Sequence, residues 1–250
     1  MRLGAARYDR VVRASVLVVL IAGCGRVAFD ALPDGATDPA PPFIDAFDRV
    51  DSTSLGNSWI EKSFGTYEIA SQHVARRNFA GDYRDLIAVR PAEEDLLDVE
   101  LSIDFTVGNI PPGYPQIHAR VQRSTIATAN TLDGYLLYVN GTAGNGVMFG
   151  NVTRQHGSIL PPPLATFTIS PELALGQTYR LRLAVRGASP VQLDGFVEHQ
   201  AGSSWTVIGS VSMVDTDVTA VAAPGAIGFD AGQPEAAGYY TYDNFTYTSL

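Results

Sequence analysis

The 250-residue sequence predicts an all-β chain, a two-sheet antiparallel sandwich preceded by a leader and a linker. Three observations carry this reading. From Phe43 onward, short segments alternate apolar and polar residues, the period of a strand with one buried face. Glycine, proline and asparagine separate these segments, and helical periodicity is almost absent. Roughly ten or more strands in one piece favour two packed layers over a single open sheet.

The N-terminus reads as an address. Arg2, Arg7, Arg10 and Arg13 precede a short apolar run, Ala14 to Ala22, which is much shorter than the roughly 20 residues a spanning helix needs. Ile21-Ala22-Gly23-Cys24 closes it, and the whole resembles a bacterial lipoprotein signal with these four residues as lipobox. The resemblance implies cleavage before Cys24 and lipidation of that residue, with residues 1–23 removed. Cys24 is the single cysteine, so no intrachain disulfide forms, and lipidation accounts for a lone thiol in an exported chain. Residues 24–42 then form the lipidated cysteine and a flexible tether rich in proline, glycine, alanine and aspartate. Gly25, which follows the cysteine, favours the outer membrane, because the retention rule known for some bacteria calls for aspartate there. No later linker divides residues 43–250, which are expected to form one domain.

Within that domain the clearest strand is Asp98 to Val107, with Val99, Leu101, Ile103, Phe105 and Val107 on one face and Glu100, Ser102 and Asp104 on the other. A turn-rich stretch, residues 108–115, leads to Ile117 to Gln122, where His118, Arg120 and Gln122 alternate with apolar residues. Pairing of these two strands would set the Glu100 row beside the Arg120 row. Further strands are expected at 134–140, 146–153, 179–185, 191–197, 205–211, 226–230 and 239–248.

The opening Phe43-Ile-Asp-Ala-Phe47-Asp-Arg49, with Leu55-Gly56 and Trp59, resembles the start of concanavalin A-like lectin/glucanase (laminin-G-like) jelly rolls. The later segments Tyr179-Arg-Leu-Arg-Leu, Leu193-Asp-Gly195, Gly225-Ala-Ile-Gly-Phe229 and Tyr242-Asp-Asn-Phe245 fit the same family in order. The resemblance covers about residues 43 to 249. It implies a jelly roll whose first and last strands lie side by side.

Glycoside hydrolases on this fold carry a Glu-x-Asp-x-x-Glu type motif. The nearest approach here is Glu100-Leu-Ser-Ile-Asp104, whose two carboxylates share a face but sit roughly 13 Å apart along the strand, against about 5 to 5.5 Å for retaining hydrolysis. The histidines, His73, His118, His156 and His199, are scattered without close metal-ligand spacing. Ser203-Ser204 is not a nucleophile elbow, and residues 141–146 read as a hairpin loop rather than a phosphate cradle. The family resemblance implies a structural calcium, with Asp243 as ligand and Asp45 in the matching N-terminal region. For glycan contact, Tyr138 with Asn140 on its face is the exposed candidate, with Arg120 and Asp104 as polar partners, while Trp59 and Trp205 are expected in the core.

The sequence is acidic, net charge −9, and more so without the leader, which argues against nucleic acid as partner. The leading expectation is a cell-envelope lipoprotein whose non-catalytic, lectin-like domain binds a polysaccharide or glycosylated surface, with the membrane reached only through the lipid anchor. The alternatives are a hydrolase or lyase with a divergent site on the wet face of strand 98–107, and an adhesive module that binds protein.

Overall fold

The computed structural model describes residues 42–62, 66–77, 87–90, 95–108, 115–126, 131–141, 147–157, 162–230 and 240–250. These fall in the compact unit Ala40–Leu250. The leader, Cys24 and nearly all of the tether lie outside the described residues, as do residues 109–114, 142–146 and Tyr239.

In chain order the elements among the described residues are β1 (Phe43–Asp45), β2 (Ile60–Glu61), β3 (Tyr67–Ala70), β4 (His73–Arg76), β5 (Ala88–Arg90), β6 (Val99–Val107), β7 (Gln116–Val121), α1 (Arg123–Ile126), β8 (Gly134–Gly141), β9 (Met148–Gln155), β10 (Ala165–Ile169), β11 (Thr178–Arg186), β12 (Val191–Ala201), β13 (Ser204–Asp215), β14 (Ala226–Asp230) and β15 (Tyr240–Ser249). The first sheet runs β13-β12-β11-β6-β15-β4-β3, with β1 also paired to β15; the second runs β10-β9-β8-β7-β14-β5-β2. The chain is therefore a two-sheet antiparallel sandwich, as the alternation predicts. β1 lies antiparallel to β15, with Phe43 opposite Tyr247 and Asp45 opposite Phe245.

One expected pairing is corrected. β6 and β7 do not pair: β6 lies between β11 and β15, and β7 lies between β14 and β8 in the other sheet. The two strands therefore belong to different sheets and form no hairpin with one another. The polar row of β6 meets the arginines of β11 instead, with Asp104 opposite Arg180 and Ser102 opposite Arg182.

The inner faces meet in one core. Val99, Leu101, Ile103 and Phe105 come from the first sheet, and Ile117, Leu137, Val152 and Phe229 from the second. Phe229 is the hub of its aromatic part: its ring lies 5.0 Å from Trp59, 5.3 Å from Tyr67 and 5.4 Å from Tyr242. Truncating such a ring to alanine costs about 3 to 5 kcal/mol. Phe167 of β10 bridges the edges of the two sheets. A Cβ at Gly150 would stand 2.0 Å from its ring and one at Gly209 2.9 Å, so both positions require glycine to admit the phenyl group.

Candidate ligand-binding face

The second sheet has two unlike faces. Ile117, Leu137, Val139, Val152 and Phe229 belong to the core, so strand alternation sends Gln116, His118, Leu136, Tyr138, Asn140, Asn151, Thr153 and Asp230 to the opposite, outer face. Cross-strand register gathers them into rows. Asp230 stands opposite Gln116, Gln116 opposite Tyr138, Tyr138 opposite Asn151 and Asn151 opposite Thr166. A second row runs from Gly228 through His118 and Leu136 to Thr153. The first row crosses five strands, roughly 19 Å at the usual interstrand spacing.

These outer-face groups are polar yet withdrawn from solvent. His118 is 1% exposed, Thr153 0%, Asn151 4% and Asp230 3%. A buried polar group without a partner costs about 1 to 3 kcal/mol, and native folds contain few of them. Here three occur on one face: His118 Nε2, Asn151 Nδ2 and Thr153 Oγ1 make no hydrogen bond. Thr166 Oγ1 donates to Asn151 Oδ1 (2.8 Å), which orients the amide and leaves its Nδ2 hydrogens unspent. His118 Nε2 stands 3.5 Å from Asp230 Oδ2, an electrostatic contact too long for a good hydrogen bond. Three unspent polar atoms on one sheet face make it the candidate ligand surface, and a ligand would reach them only by displacing what covers them.

Of the residues singled out in the sequence, Tyr138 and Asn140 belong to this face. Asn140 is exposed, whereas Tyr138 is buried at 7% exposure rather than open, because it sits in the middle of the first row. Arg120 is corrected outright. Opposite Ile227 the β7 backbone bulges, and Arg120 takes φ +52°. The bulge swings its side chain off the outer face into the interior, where it is fully buried. There its guanidinium donates to the carbonyls of Leu97 (2.7 Å), Val221 (2.9 Å) and Gly187 (2.7 Å), so it is a structural brace.

Glu100 and Asp104 lie on the outer face of the first sheet, within a lattice of ion pairs. Asp104 accepts two hydrogen bonds from Arg180 (2.6 and 3.1 Å) and one from Asn244 Nδ2 (3.1 Å). Arg182 donates to Glu198 (2.8 Å) and stands 3.6 Å from Glu100. Trp205, expected in the core, belongs instead to this outer face, where the Arg180 guanidinium lies 4.0 Å from its ring centroid. The pleat places it there, because its register partner Gln200 also points outward. Asp104 is buried at 4% exposure, so this is not the wet carboxylate row that alternation alone suggests.

Asp45 and Asp243 do not fit a shared calcium ion. Asp45 turns inward, and its oxygens accept from Arg49 (2.8 and 3.1 Å), Phe47 N (2.9 Å), Asn57 (2.9 Å) and Trp59 Nε1 (2.8 Å). A cation there would have to displace a guanidinium. Asp243 instead pairs in register with Asp104 on the outer face, beside His73 Nδ1 at 3.3 Å. Burial and the neighbouring charges of Asp104 and Asp48 raise its pKa against the opposing pull of the Asn244 amide and His73. Among the described residues no group of three His, Cys, Asp or Glu side chains is arranged to hold a metal ion.

The outer-face signal was half visible in the sequence. Alternation sets Gln116 and His118 apart from Ile117 and Ala119, but Asn151 and Thr153 gain meaning only once β9 lies two strands from β7.

No protein-family model matches the chain, and no curated protein matches it. Solved structures do. A GH43 protein from Bacillus licheniformis superposes with a TM-score of 0.51 at 13% identity, covering 83% of this chain and 39% of that one. A GH43 glycoside hydrolase engineered at its active site gives 0.51 at 8% identity, covering 87% and 42%. The carbohydrate-binding module CBM66 from Bacillus subtilis gives 0.49 at 14% identity, covering 77% and 96%. At these identities the likeness is one of fold: the chain is a two-sheet jelly-roll β-sandwich.

Proposed function

We propose that this chain is a non-catalytic carbohydrate-binding protein, which takes a polysaccharide or a glycosylated surface on the outer face of its seven-stranded sheet. The observation that carries the reading is the cluster His118, Asn151 and Thr153, buried, pointing away from the core and left without hydrogen-bond partners. Sugar hydroxyls both donate and accept, so they suit the unspent His118 Nε2, Asn151 Nδ2 and Thr153 Oγ1 once these are uncovered. The fold supports only the carbohydrate part of the reading, since two of its structural neighbours are described as GH43 proteins, one of them a glycoside hydrolase, and this chain spans about two fifths of each. The Cys24 lipobox motivates the rest of the proposal, a lipid anchor at the cell envelope with the outer membrane as its site. The acidic charge keeps nucleic acid off the list of partners.

The test is a glycan array followed by affinity measurement with the purified chain. Saturable binding to one glycan class is expected. Asn151→Ala and Thr153→Val should each weaken it about tenfold, the loss of roughly one hydrogen bond. Thr153→Val should leave the free protein as stable as before or slightly more so, since it removes a buried hydroxyl that has no partner. Glu100→Gln, on the other sheet, should change nothing. Binding to no glycan would overturn the reading, and release of reducing ends from a bound glycan would replace it with a hydrolase.

A further inference from the structure

The outer face of the seven-stranded sheet is open to solvent at one corner. There β8 ends, β9 begins and β10 forms the edge. A cross-strand row runs over all three, with Asn140 opposite Phe149 and Phe149 opposite Thr168. Phe149 follows Met148, a core residue, and lies two residues before Asn151, so alternation sets it on the outer face. Its side chain is 39% exposed, and its row neighbours Asn140 and Thr168 are exposed on either side of it.

The other partly accessible rings of this fold are spent. Phe43 stacks on Tyr247 with centroids 5.1 Å apart, and the Arg90 guanidinium lies 4.0 Å from its centroid. Arg180 lies over Trp205 and Arg182 over Phe196, at 4.0 and 3.9 Å. Phe167 is inserted against Gly150 and Gly209. Among the described residues Phe149 is the one exposed Phe, Tyr or Trp side chain, and no ring or guanidinium stacks on it. A phenyl group left in water forgoes the stabilisation that burial would give it.

An aromatic face carries partial negative charge and attracts polarised C–H groups. A sugar ring has such groups on its flat faces and hydroxyls around its rim. Laid on Phe149, it directs rim hydroxyls toward an amide on one side and a hydroxyl on the other, each one strand away, roughly 4.8 Å. The corner also leads to the withdrawn polar groups. Exposed Thr166, two residues before Thr168 on β10, donates to Asn151 Oδ1 (2.8 Å).

We propose that Phe149 is the stacking platform on which the glycan lands, taking a neutral pyranose with equatorial hydroxyls whose rim is held by Asn140 and Thr168. The proposal rests on the carbohydrate-binding reading and adds an entry that is open without displacing anything. Equatorial hydroxyls follow from the flat ring, since an axial one would lift the sugar from it. Neutrality follows from the uncharged side chains on either side and from the net charge of −9, which repels acidic sugars.

The experiment titrates the full chain with cellotetraose and xylotetraose, both neutral and all-equatorial, and follows the sugar protons by NMR. At least one should bind saturably, with its ring C–H protons shifted upfield by the phenyl ring. Phe149→Ala should weaken binding about tenfold, and Phe149→Leu by as much, because leucine is apolar without being flat. Phe149→Trp should keep the affinity, and all three variants should melt at the wild-type temperature because the ring is exposed. Wild-type affinity in Phe149→Ala would overturn the role of this residue and leave the carbohydrate reading standing. Wild-type affinity in Phe149→Leu alone would overturn stacking. Binding of neither tetrasaccharide, while a glycan array yields another ligand, would overturn the sugar class. An array on which nothing binds would overturn the carbohydrate reading and this proposal with it.

Discussion

The carboxylate of Asp45 is buried at 4% exposure and accepts five hydrogen bonds, two of them from Arg49. Burial alone would raise its pKa, but the bonds from Arg49, Trp59, Asn57 and the Phe47 amide outweigh it and hold the pKa at about 2, below the ordinary 3.8. The folded state therefore binds this proton more weakly than the unfolded chain does. The stabilisation is complete above the unfolded value and is lost as pH falls from about 4 through 2, on the order of 2 kcal/mol in all. Urea titrations of the wild type and Asp45→Asn should show the gap between them shrinking by about that amount between near-neutral pH and pH of about 2. A gap independent of pH would show that the carboxylate is not held as described. Trp59, one of the donors, was readable as core from the sequence. Arg120 was not, because a bulge with φ +52° at a non-glycine residue leaves no mark in composition or period.

At the scale of elements, the long strands follow from alternation. The expected 226–230 is β14, and β6 is the expected 98–107 less its first residue. β10 was missed because prolines crowd its approach and Pro171 follows it soon after, a setting that reads as loop and that suits the edge strand it is. The β3–β4 hairpin was missed for another reason. Its two-residue turn, Ser71-Gln72, has both residues in the left-handed region, φ 54° and 65°, where Asn-Gly or Asp-Gly would have announced it. The Ser71 amide donates to Asp51 Oδ1 (2.8 Å), which helps hold the strained turn. Replacing the pair with Asn-Gly (Ser71→Asn, Gln72→Gly) should stabilise the protein by about 1 kcal/mol, visible as a higher urea midpoint at unchanged slope. A lower midpoint would mean that the native side chains contribute contacts beyond the turn. By contrast, Gly202 opens the β12–β13 turn with φ +64°, the sign a type II′ hairpin demands at its first central position.

At the scale of the whole molecule, alternation tells which residues of a strand share a face but not which strand lies beside it. Glu100 and Asp104 were seen together on one face, and their partners, Arg180 and Arg182, come from β11, more than seventy residues away in sequence. The candidate face has the same origin: β14, β7, β8 and β9 each supply one or two groups, and their meaning lies in the order of strands. The conflict between the calcium expected from resemblance and the Asp45 clasp is resolved at this scale too, since Asp45 faces the core and Asp243 the outer surface. A chelator should leave the melting temperature unchanged, and a drop that added calcium restores would contradict the geometry. The β1–β15 pairing gives the domain a mechanical character. A pull on the chain ahead of Phe43 is met first by the three residues of β1, which can be peeled from β15. Peeling then halts at the Asp45 clasp to Arg49, Asn57 and Trp59, so tension is spent at a short sacrificial strand before it reaches the aromatic core.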